Sequence, residues 1–302
     1  MPAPIRLVLL AAAPLLAQRS GGLPERIQNA PLALAQRQTL AASLARRDYA
    51  RIEAVLGAAP ASEPQALLGA IEFVGGRMRQ AVEAFRRSES RAPLDDQDQF
   101  TLAMALVNLG DIQAARPALA GLHAKHQDET LYVYWLGRLD YDQRRYEDAV
   151  EKFKNVVRLD PESVRGYDNL GLAFDMMGLT GDARGAFTTA AALNRKATTP
   201  SPWPPHNLGF LLFRLQKFRE AEVSLRDALK YDAGFALAHY HLARALDSRG
   251  EDDAAISEYR AAAALDAKLA EPLYSLGLLY RRLGRAAEAG SALAEYKRRK
   301  PE

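Results

Sequence analysis

Apolar residues recur along most of this chain with the spacing of amphipathic helices. Between residues 167 and 193, for example, Leu170 and Phe174 are four positions apart, and so are Ala183 and Phe187. Side chains at positions i and i+4 lie on the same face of a helix. The pattern therefore predicts two short helices in this segment, separated by a glycine that ends the first of them.

The same pattern returns with a fixed period, which makes it a repeat. A leucine followed by glycine or alanine marks the first helix of each copy at intervals of 34 residues, with one interval of 38. The markers are Leu68-Gly69, Leu102-Ala103, Leu136-Gly137, Leu170-Gly171, Leu208-Gly209, Leu242-Ala243 and Leu276-Gly277. The second helices carry an alanine at a matching position, namely Ala81, Ala115, Ala149, Ala183, Ala221, Ala255 and Ala289. Because small residues let two helices approach closely, the sequence predicts a tandem array of helix pairs.

A turn separates the two predicted helices of each copy. In five copies this turn contains a glycine: Gly76, Gly110, Gly178, Gly250 and Gly284. Glycine readily adopts the left-handed backbone conformation that ends many helices. The longer interval contains residues 194–207, a segment that holds four prolines. We interpret this segment as a lengthened loop, and the alternative is a bend that places Trp203 on a binding surface.

Residues 131–161 resemble the tetratricopeptide repeat, a helix–turn–helix unit of 34 residues. The matching positions are Leu136, Gly137, Ala149, Phe153 and Pro161. The resemblance extends over about residues 62–302, with a fainter copy around residues 28–61. It implies an all-α, right-handed superhelical solenoid of tandem antiparallel helix pairs.

The first residues show the order of positive charge, apolar run and polar break that is typical of an export signal. Arg6 precedes an apolar run at residues 7–17, which is too short to span a bilayer. We expect export to the periplasm or secretion from a bacterium, with no membrane span in the mature chain; the alternative is a loose apolar N-terminus on a cytosolic protein. The expected organisation is a signal peptide at 1–17, a linker and degenerate helical repeat at 18–61, four contiguous repeats at 62–197, a proline-rich insertion at 198–201 and three further repeats of the same solenoid at 202–302.

The composition limits the kinds of activity and ligand that we expect for this chain. The chain has no cysteine, which excludes thiol chemistry, and its 40 basic against 37 acidic residues do not predict nucleic-acid binding. Without a nucleophile, phosphate-binding or dinucleotide-binding motif, we predict no enzymatic activity, no cofactor and no metal. His123 and His126 have a spacing that suits a metal, but we interpret them as exposed residues without an acidic partner. We interpret the cations at residues 297–300 as the soluble end of the last helix, with contact to anionic lipid or nucleic acid as the alternative.

In the family that the chain resembles, the first helix of each unit lines a concave surface that binds partners. Carrying the positions of that surface over to this sequence gives a groove rich in aromatic and arginine side chains, which often dominate binding energy. The predicted groove residues are Leu131, Tyr134, Trp135, Arg138, Arg165, Asn169, Trp203, His206, Asn207, Phe210, Tyr240, His241, Arg244, Tyr274 and Arg281. The resemblance assigns Asn169 and Asn207 to the backbone of an extended peptide. Asp168 and His206 stand where relatives that bind chaperone C-termini have lysine, which argues against that carboxylate clamp. The alternative for some of the aromatic residues is packing against the adjacent helix.

The sequence therefore predicts a non-enzymatic scaffold that binds a peptide segment or a protein partner in its concave groove. The alternative is a structural assembly subunit of a bacterial envelope machine, such as one for pili, secretion or polysaccharide export, that uses its outer helix faces. Neither hypothesis specifies an oligomeric state.

Overall fold

The computed structural model describes residues 22–57 and 62–300. These residues form seventeen α-helices and no β-strand. The helices are α1 (Leu23–Asn29), α2 (Leu34–Ala45), α3 (Tyr49–Gly57), α4 (Ser62–Val74), α5 (Met78–Glu89), α6 (Asp96–Asn108), α7 (Ile112–Lys125), α8 (Thr130–Asp142), α9 (Tyr146–Leu159), α10 (Val164–Met176), α11 (Thr180–Asn194), α12 (Trp203–Arg214), α13 (Phe218–Tyr231), α14 (Ala236–Ser248), α15 (Asp252–Leu265), α16 (Glu271–Arg282) and α17 (Ala286–Arg299). The signal peptide predicted at residues 1–17 lies outside the described residues. Within them, no helix has both the length and the apolar character needed to cross a membrane.

The helices group into two compact units, each of which is described by itself. Unit 1 ends at Leu139 and unit 2 begins at Asp140. In unit 1, α2–α3, α4–α5 and α6–α7 pack as hairpins, and in unit 2 so do α10–α11, α12–α13, α14–α15 and α16–α17. The second helix of each of these hairpins packs on the first helix of the next hairpin of the same unit. The described residues confirm the predicted all-α array of tandem helix pairs.

Close packing within a hairpin depends on the small residues of the repeat. At Gly171 in α10, an added Cβ atom would lie only 2.6 Å from the ring of Phe187 in α11. Phe187 is buried, and Ala183, one turn before it in the same helix, is completely buried. The prediction that these positions form the helix interface is therefore confirmed.

The turns inside the hairpins share one backbone conformation. The five predicted glycines all have positive φ angles, between 74° and 80°. Arg144 and Gln216 take the same place in two other copies, with φ of 60° and 58°. At Gln216 the turn closes with a hydrogen bond from the Lys217 N–H to the Leu212 carbonyl at 2.9 Å. These two residues thus occupy a left-handed region that costs a non-glycine residue about 1 kcal/mol.

Residues 195–202 form a loop between α11 and α12. The buried side chain of Asn194 closes this loop, because its Nδ2 donates to the Ser201 carbonyl and its Oδ1 accepts from the Ser201 N–H, both at 2.8 Å. Trp203 follows at the start of α12 and packs edge-on against Phe235, with 4.8 Å between the ring centroids. The loop is thus held at both of its ends.

Candidate partner-binding face

The first helices of the unit 2 hairpins, α10, α12, α14 and α16, lie side by side. Asn207 in α12 donates a hydrogen bond to Asp168 in α10 at 3.0 Å. Two turns further along both helices, Arg214 pairs with Asp175 at 2.6 Å. The two contacts show which side of α12 meets α10.

Aromatic contacts join α12 to α14. The ring of Phe210 stacks on the ring of His241, with centroids 4.3 Å apart. The guanidinium of Arg244 lies over the ring of Phe213, 4.4 Å from its centroid. The same side of α14 thus meets α12 over about one turn.

An ion pair joins α14 to α16, since Asp247 accepts a hydrogen bond from Arg282 at 2.8 Å. The contacts therefore run without interruption from α10 to α16. We call this surface the inner face of unit 2. Its residues are Arg165, Asp168, Asn169, Asp175, Met176, Asn207, Phe210, Phe213, Arg214, Tyr240, His241, Arg244, Asp247, Tyr274, Leu278, Arg281 and Arg282.

A pair of buried histidines joins two helices of this face. His206 Nε2 and His241 Nδ1 are 2.9 Å apart, so that one ring donates a hydrogen bond and the other accepts it. Burial lowers the pKa of His206 to about 4. Burial also holds the pKa of His241 well below its usual value, and the neighbouring His206 and Arg244 act in the same direction. Both rings are therefore neutral at pH 7, which is the state in which this hydrogen bond forms.

Several residues of the inner face are open to solvent. Tyr274 and Leu278 on α16 are 46% and 43% exposed, and Arg165 and Arg281 are exposed as well. Met176 on α10 is 46% exposed and was missed by the groove prediction, although the repeat frame places it on this helix face. The predicted groove residues that are half-buried in unit 2 are Trp203, Asn207, Phe210, Tyr240 and Arg244.

Other predicted groove residues are buried beneath the surface of this face. His206, His241 and Asn169 are all buried. The amide of Asn169 donates to the carbonyl of Arg165 in its own helix at 2.9 Å. Because the amide of Asn207 is likewise bonded within the chain, the assignment of the two asparagines to a peptide backbone stays a prediction.

Four predicted groove residues belong to unit 1 and lie on α8, namely Leu131, Tyr134, Trp135 and Arg138. Trp135 is buried in the core of unit 1. Tyr134 packs edge-on against it, with 5.6 Å between the ring centroids. Leu131 and Arg138 are half-buried. Their participation in one continuous groove stays a prediction.

The inner face of unit 2 has free cations but no free carboxylates. The carboxylates that bind a side chain of an adjacent first helix are Asp168, Asp175 and Asp247. In the part of the chain that the structure describes, no carboxylate pairs with Arg165, Arg244 or Arg281. An acidic group that approaches this face therefore meets unpaired guanidinium groups, which bind carboxylates strongly.

Away from this face, the structure corrects the interpretation of one histidine. His126 Nε2 lies 2.7 Å from a carboxylate oxygen of Asp96, and Lys125 Nζ lies 2.9 Å from the other oxygen. The hydrogen bond from His126, together with that from Lys125, lowers the pKa of Asp96. Since His123 and His126 are both half-buried, the prediction of exposed histidines without an acidic partner is wrong. The described part of the chain contains no group of three or more histidine and carboxylate side chains that could hold a metal.

The basic cluster at residues 297–300 is partly neutralised by its own helix. Arg298 and Arg299 both pair with Glu295, one turn earlier in α17. Arg299 also donates to the carbonyl of Ala263 at 2.7 Å. These contacts tie two of its cations to the protein itself.

Comparisons with known proteins agree with this architecture. A family model described as tetratricopeptide repeat matches residues 100–164 and 136–202, and a second, described as TPR repeat, matches residues 243–284. No match was found among curated proteins.

Solved structures of other proteins share the fold. A chain of the APC/C hetero-tetramer Cut9-Hcn1 is 17% identical with a TM-score of 0.62, and the match covers 90% of this chain and 55% of that one. A pilF structure from Pseudomonas aeruginosa is 20% identical with a TM-score of 0.56, covering 78% of this chain and 97% of that one. YrrB, described as a TPR protein with an unusual peptide-binding site, is 18% identical with a TM-score of 0.50, covering 61% and 93%. Identities this low show the fold alone. The family matches, the repeat frame and the packing of the hairpins show that the chain belongs to the tetratricopeptide repeat family.

Proposed function

We propose that this chain is a non-catalytic scaffold that binds an acidic segment of a partner protein on the inner face of unit 2. The observation that carries the proposal is the unpaired state of Arg165, Arg244 and Arg281 on a face whose own carboxylates are occupied. A bound carboxylate would accept charge-assisted hydrogen bonds from these guanidinium groups. The family supports the role of a protein-interaction scaffold, and the partner's identity is the part we infer.

The apolar side chains beside the cations add a second requirement for the ligand. Tyr274 and Leu278 expose their side chains next to Arg281 in α16, at helical spacings that put all three on one face. Tyrosine and arginine are the residues that most often carry binding energy at interfaces. We therefore expect a segment in which aromatic or aliphatic residues alternate with Asp or Glu.

The buried contacts beneath the face hold it in one arrangement before a ligand arrives. Arg244 lies over the rings of Phe213 and Tyr240, which limits the freedom of its guanidinium. The hydrogen bond between His206 and His241 joins the two helices that carry these residues. Such preorganisation reduces the entropy that is lost on binding.

Binding of synthetic peptides tests the proposal. One set of labelled peptides alternates Asp or Glu with Phe, Tyr or Leu, and a matched set carries Lys in place of the acids. We expect the full chain to bind the acidic set, and the double variant Arg165→Glu, Arg281→Glu to bind it at least about tenfold more weakly, a loss of ~1.4 kcal/mol.

The matched control carries the same charge change on second helices, Arg184→Glu with Arg219→Glu. Both of these arginines are exposed, in α11 and α13. We expect the control to bind the acidic peptides as the native chain does. Equal binding of the basic peptides, or an equal loss in the control, would mean that the inner face does not recognise acidic segments.

Export from the cytoplasm belongs to the same proposal. It is supported by the sequence of residues 1–17, in which Arg6 precedes an apolar run of signal-peptide length. N-terminal sequencing of the protein from fractionated cells is expected to give a chain that begins at Gln18. An intact N-terminus in the cytoplasmic fraction would overturn the assignment.

A further inference from the structure

Helix α1 has no hairpin partner and packs instead on the first helices of unit 1. It contacts α2 and α4, which begin consecutive hairpins. Ile27 is 3% exposed and shares a hydrophobic cluster with Leu40 of α2 and Leu67 of α4. Leu23, one turn earlier on the same face, packs against that cluster as well. The two apolar side chains of α1 thus lie across two neighbouring first helices.

An ion pair connects α1 to a third first helix. Both terminal nitrogens of Arg26 bind the carboxylate of Asp98 in α6, at 2.8 and 2.9 Å. The side chain of Asp98 is only 4% exposed. Burial raises the pKa of Asp98, and the hydrogen bonds from Arg26 oppose that shift. Arg26 therefore neutralises a carboxylate that unit 1 keeps out of water.

Helix α1 depends on this surface for its order. It has seven residues and no side-chain hydrogen bond at its N-cap, and helices this short are not stable alone in water. Arg37 of α2 donates a hydrogen bond to the Gln28 carbonyl near the end of α1. The surface thus buries the apolar residues of α1, pairs with its cation and donates a hydrogen bond to one of its last carbonyls. A receptor makes the same kinds of contact with a bound helical peptide.

We propose that the surface formed by α2, α4 and α6 of unit 1 is a binding site for a short helix of a partner protein. The recognised pattern is two apolar residues four positions apart with an arginine directly before the second. Helix α1 is the resident occupant, which a partner helix displaces. This inference concerns a different unit from the acidic-segment site and does not depend on it.

The buried carboxylate makes the site selective. If α1 leaves, Asp98 loses Arg26, and an unpaired buried charge is strongly destabilising. A helix that brings apolar side chains without an arginine therefore cannot replace α1. Because α1 is tethered next to its site, it competes at a high effective concentration. A partner helix therefore binds the native chain only weakly, and it binds more tightly when the docking of α1 is weakened.

The test uses the full chain and a labelled synthetic peptide with the sequence of residues 22–33. In the variant Arg26→Ala the docking of α1 is weakened while Asp98 is retained. We expect this variant to bind the peptide at least tenfold more tightly than the native chain does. A peptide with alanine in place of its arginine is expected to bind neither protein. The control Arg79→Ala removes an exposed arginine of α5 and is expected to behave as the native chain.

Circular dichroism shows whether Arg26→Ala is folded. A second variant, Leu23→Gln, weakens the docking of α1 and keeps the ion pair between Arg26 and Asp98. A folded variant that binds no peptide at millimolar concentration would overturn the proposal. Equal binding by the native chain would do so too, because α1 would then not occupy the site. Light scattering tests whether the partner helix comes from a second copy of this chain. A dimer that dissociates when the peptide is added would show that it does, and would overturn the assignment to a different partner. The variant Arg165→Glu, Arg281→Glu, which tests the acidic-segment site, leaves this titration unchanged.

Discussion

Replacing Ala183 with tryptophan is expected to lower the free energy of unfolding by about 3 kcal/mol, the upper range for overpacked cores. Ala183 is completely buried in α11 and belongs to a cluster with Phe187 and with Leu208 of α12. The adjacent contact between Gly171 and Phe187 leaves no room even for a Cβ atom. An indole at position 183 must therefore separate helices that now touch.

Denaturant unfolding of the full chain measures this effect, and the same helix offers a control. Gly185 is exposed, and a Cβ atom added there would meet nothing within 4 Å. Gly185→Ala is expected to stabilise the protein by up to about 1 kcal/mol, because alanine favours the helix more than glycine does. An unchanged unfolding midpoint in Ala183→Trp would contradict the repeat frame.

Unit 2 is expected to lose stability when the pH falls from 7 to 5. The pKa of His206 is about 4 in the folded protein, against an ordinary value of 6.5. Below pH 6.5 the unfolded chain therefore binds a proton at His206 that the folded chain does not bind. Unfolding becomes more favourable as a result. At pH 5 the loss is about 2 kcal/mol from His206 alone. The lowered pKa of His241 acts in the same direction.

Other groups respond to the same pH change with the opposite sign. A hydrogen bond from His239 to Glu258 raises the pKa of His239, so its contribution is present at low pH and lost as the pH rises. In unit 1, burial raises the pKa of Glu72 to about 7, and protonation between pH 7 and 5 stabilises that unit. A measurement on unit 2 alone avoids the contribution of Glu72, and a variant that lacks His206 and His241 separates their contribution from that of His239.

The two tryptophans provide such a measurement, because Trp135 lies in unit 1 and Trp203 in unit 2. In the variant Trp135→Phe, fluorescence of Trp203 follows the unfolding of unit 2. We expect its midpoint to fall between pH 7 and 5, and to fall much less when His206 and His241 are both changed to glutamine. A pH response that persists in the double glutamine variant would show that other groups cause it.

The sequence predicts the repeat well because each marker performs one task in every copy. The glycines of the turns and the pair Gly171 and Ala183 are needed for local reasons, a left-handed turn and a close approach, that a period reveals. Arg144 and Gln216 adopt the same turn without glycine. Because neither position carries a glycine, no local signal in the sequence shows this conformation.

The sequence predicts which positions lie on the candidate face, but it does not predict which of their side chains are exposed. The repeat frame places Asn169 and His206 on the first helices, yet both side chains are buried by neighbouring helices. Which arginines are free depends on pairs such as Arg214 with Asp175, residues 39 positions apart in the chain. Helix α1 and its ion pair to Asp98 over 72 positions were missed, because a seven-residue helix has too few apolar positions to show a period.

The most direct test of the central claim is cross-linking in cells from a photoreactive amino acid at one of two exposed positions. Tyr274 lies on the inner face of unit 2, and Val223, which is 68% exposed, lies on the second helix α13. We predict a protein adduct from position 274 that the acidic peptides suppress, and none from position 223. Adducts from position 223 alone would contradict binding at the inner face and would favour an assembly subunit that uses its outer helices.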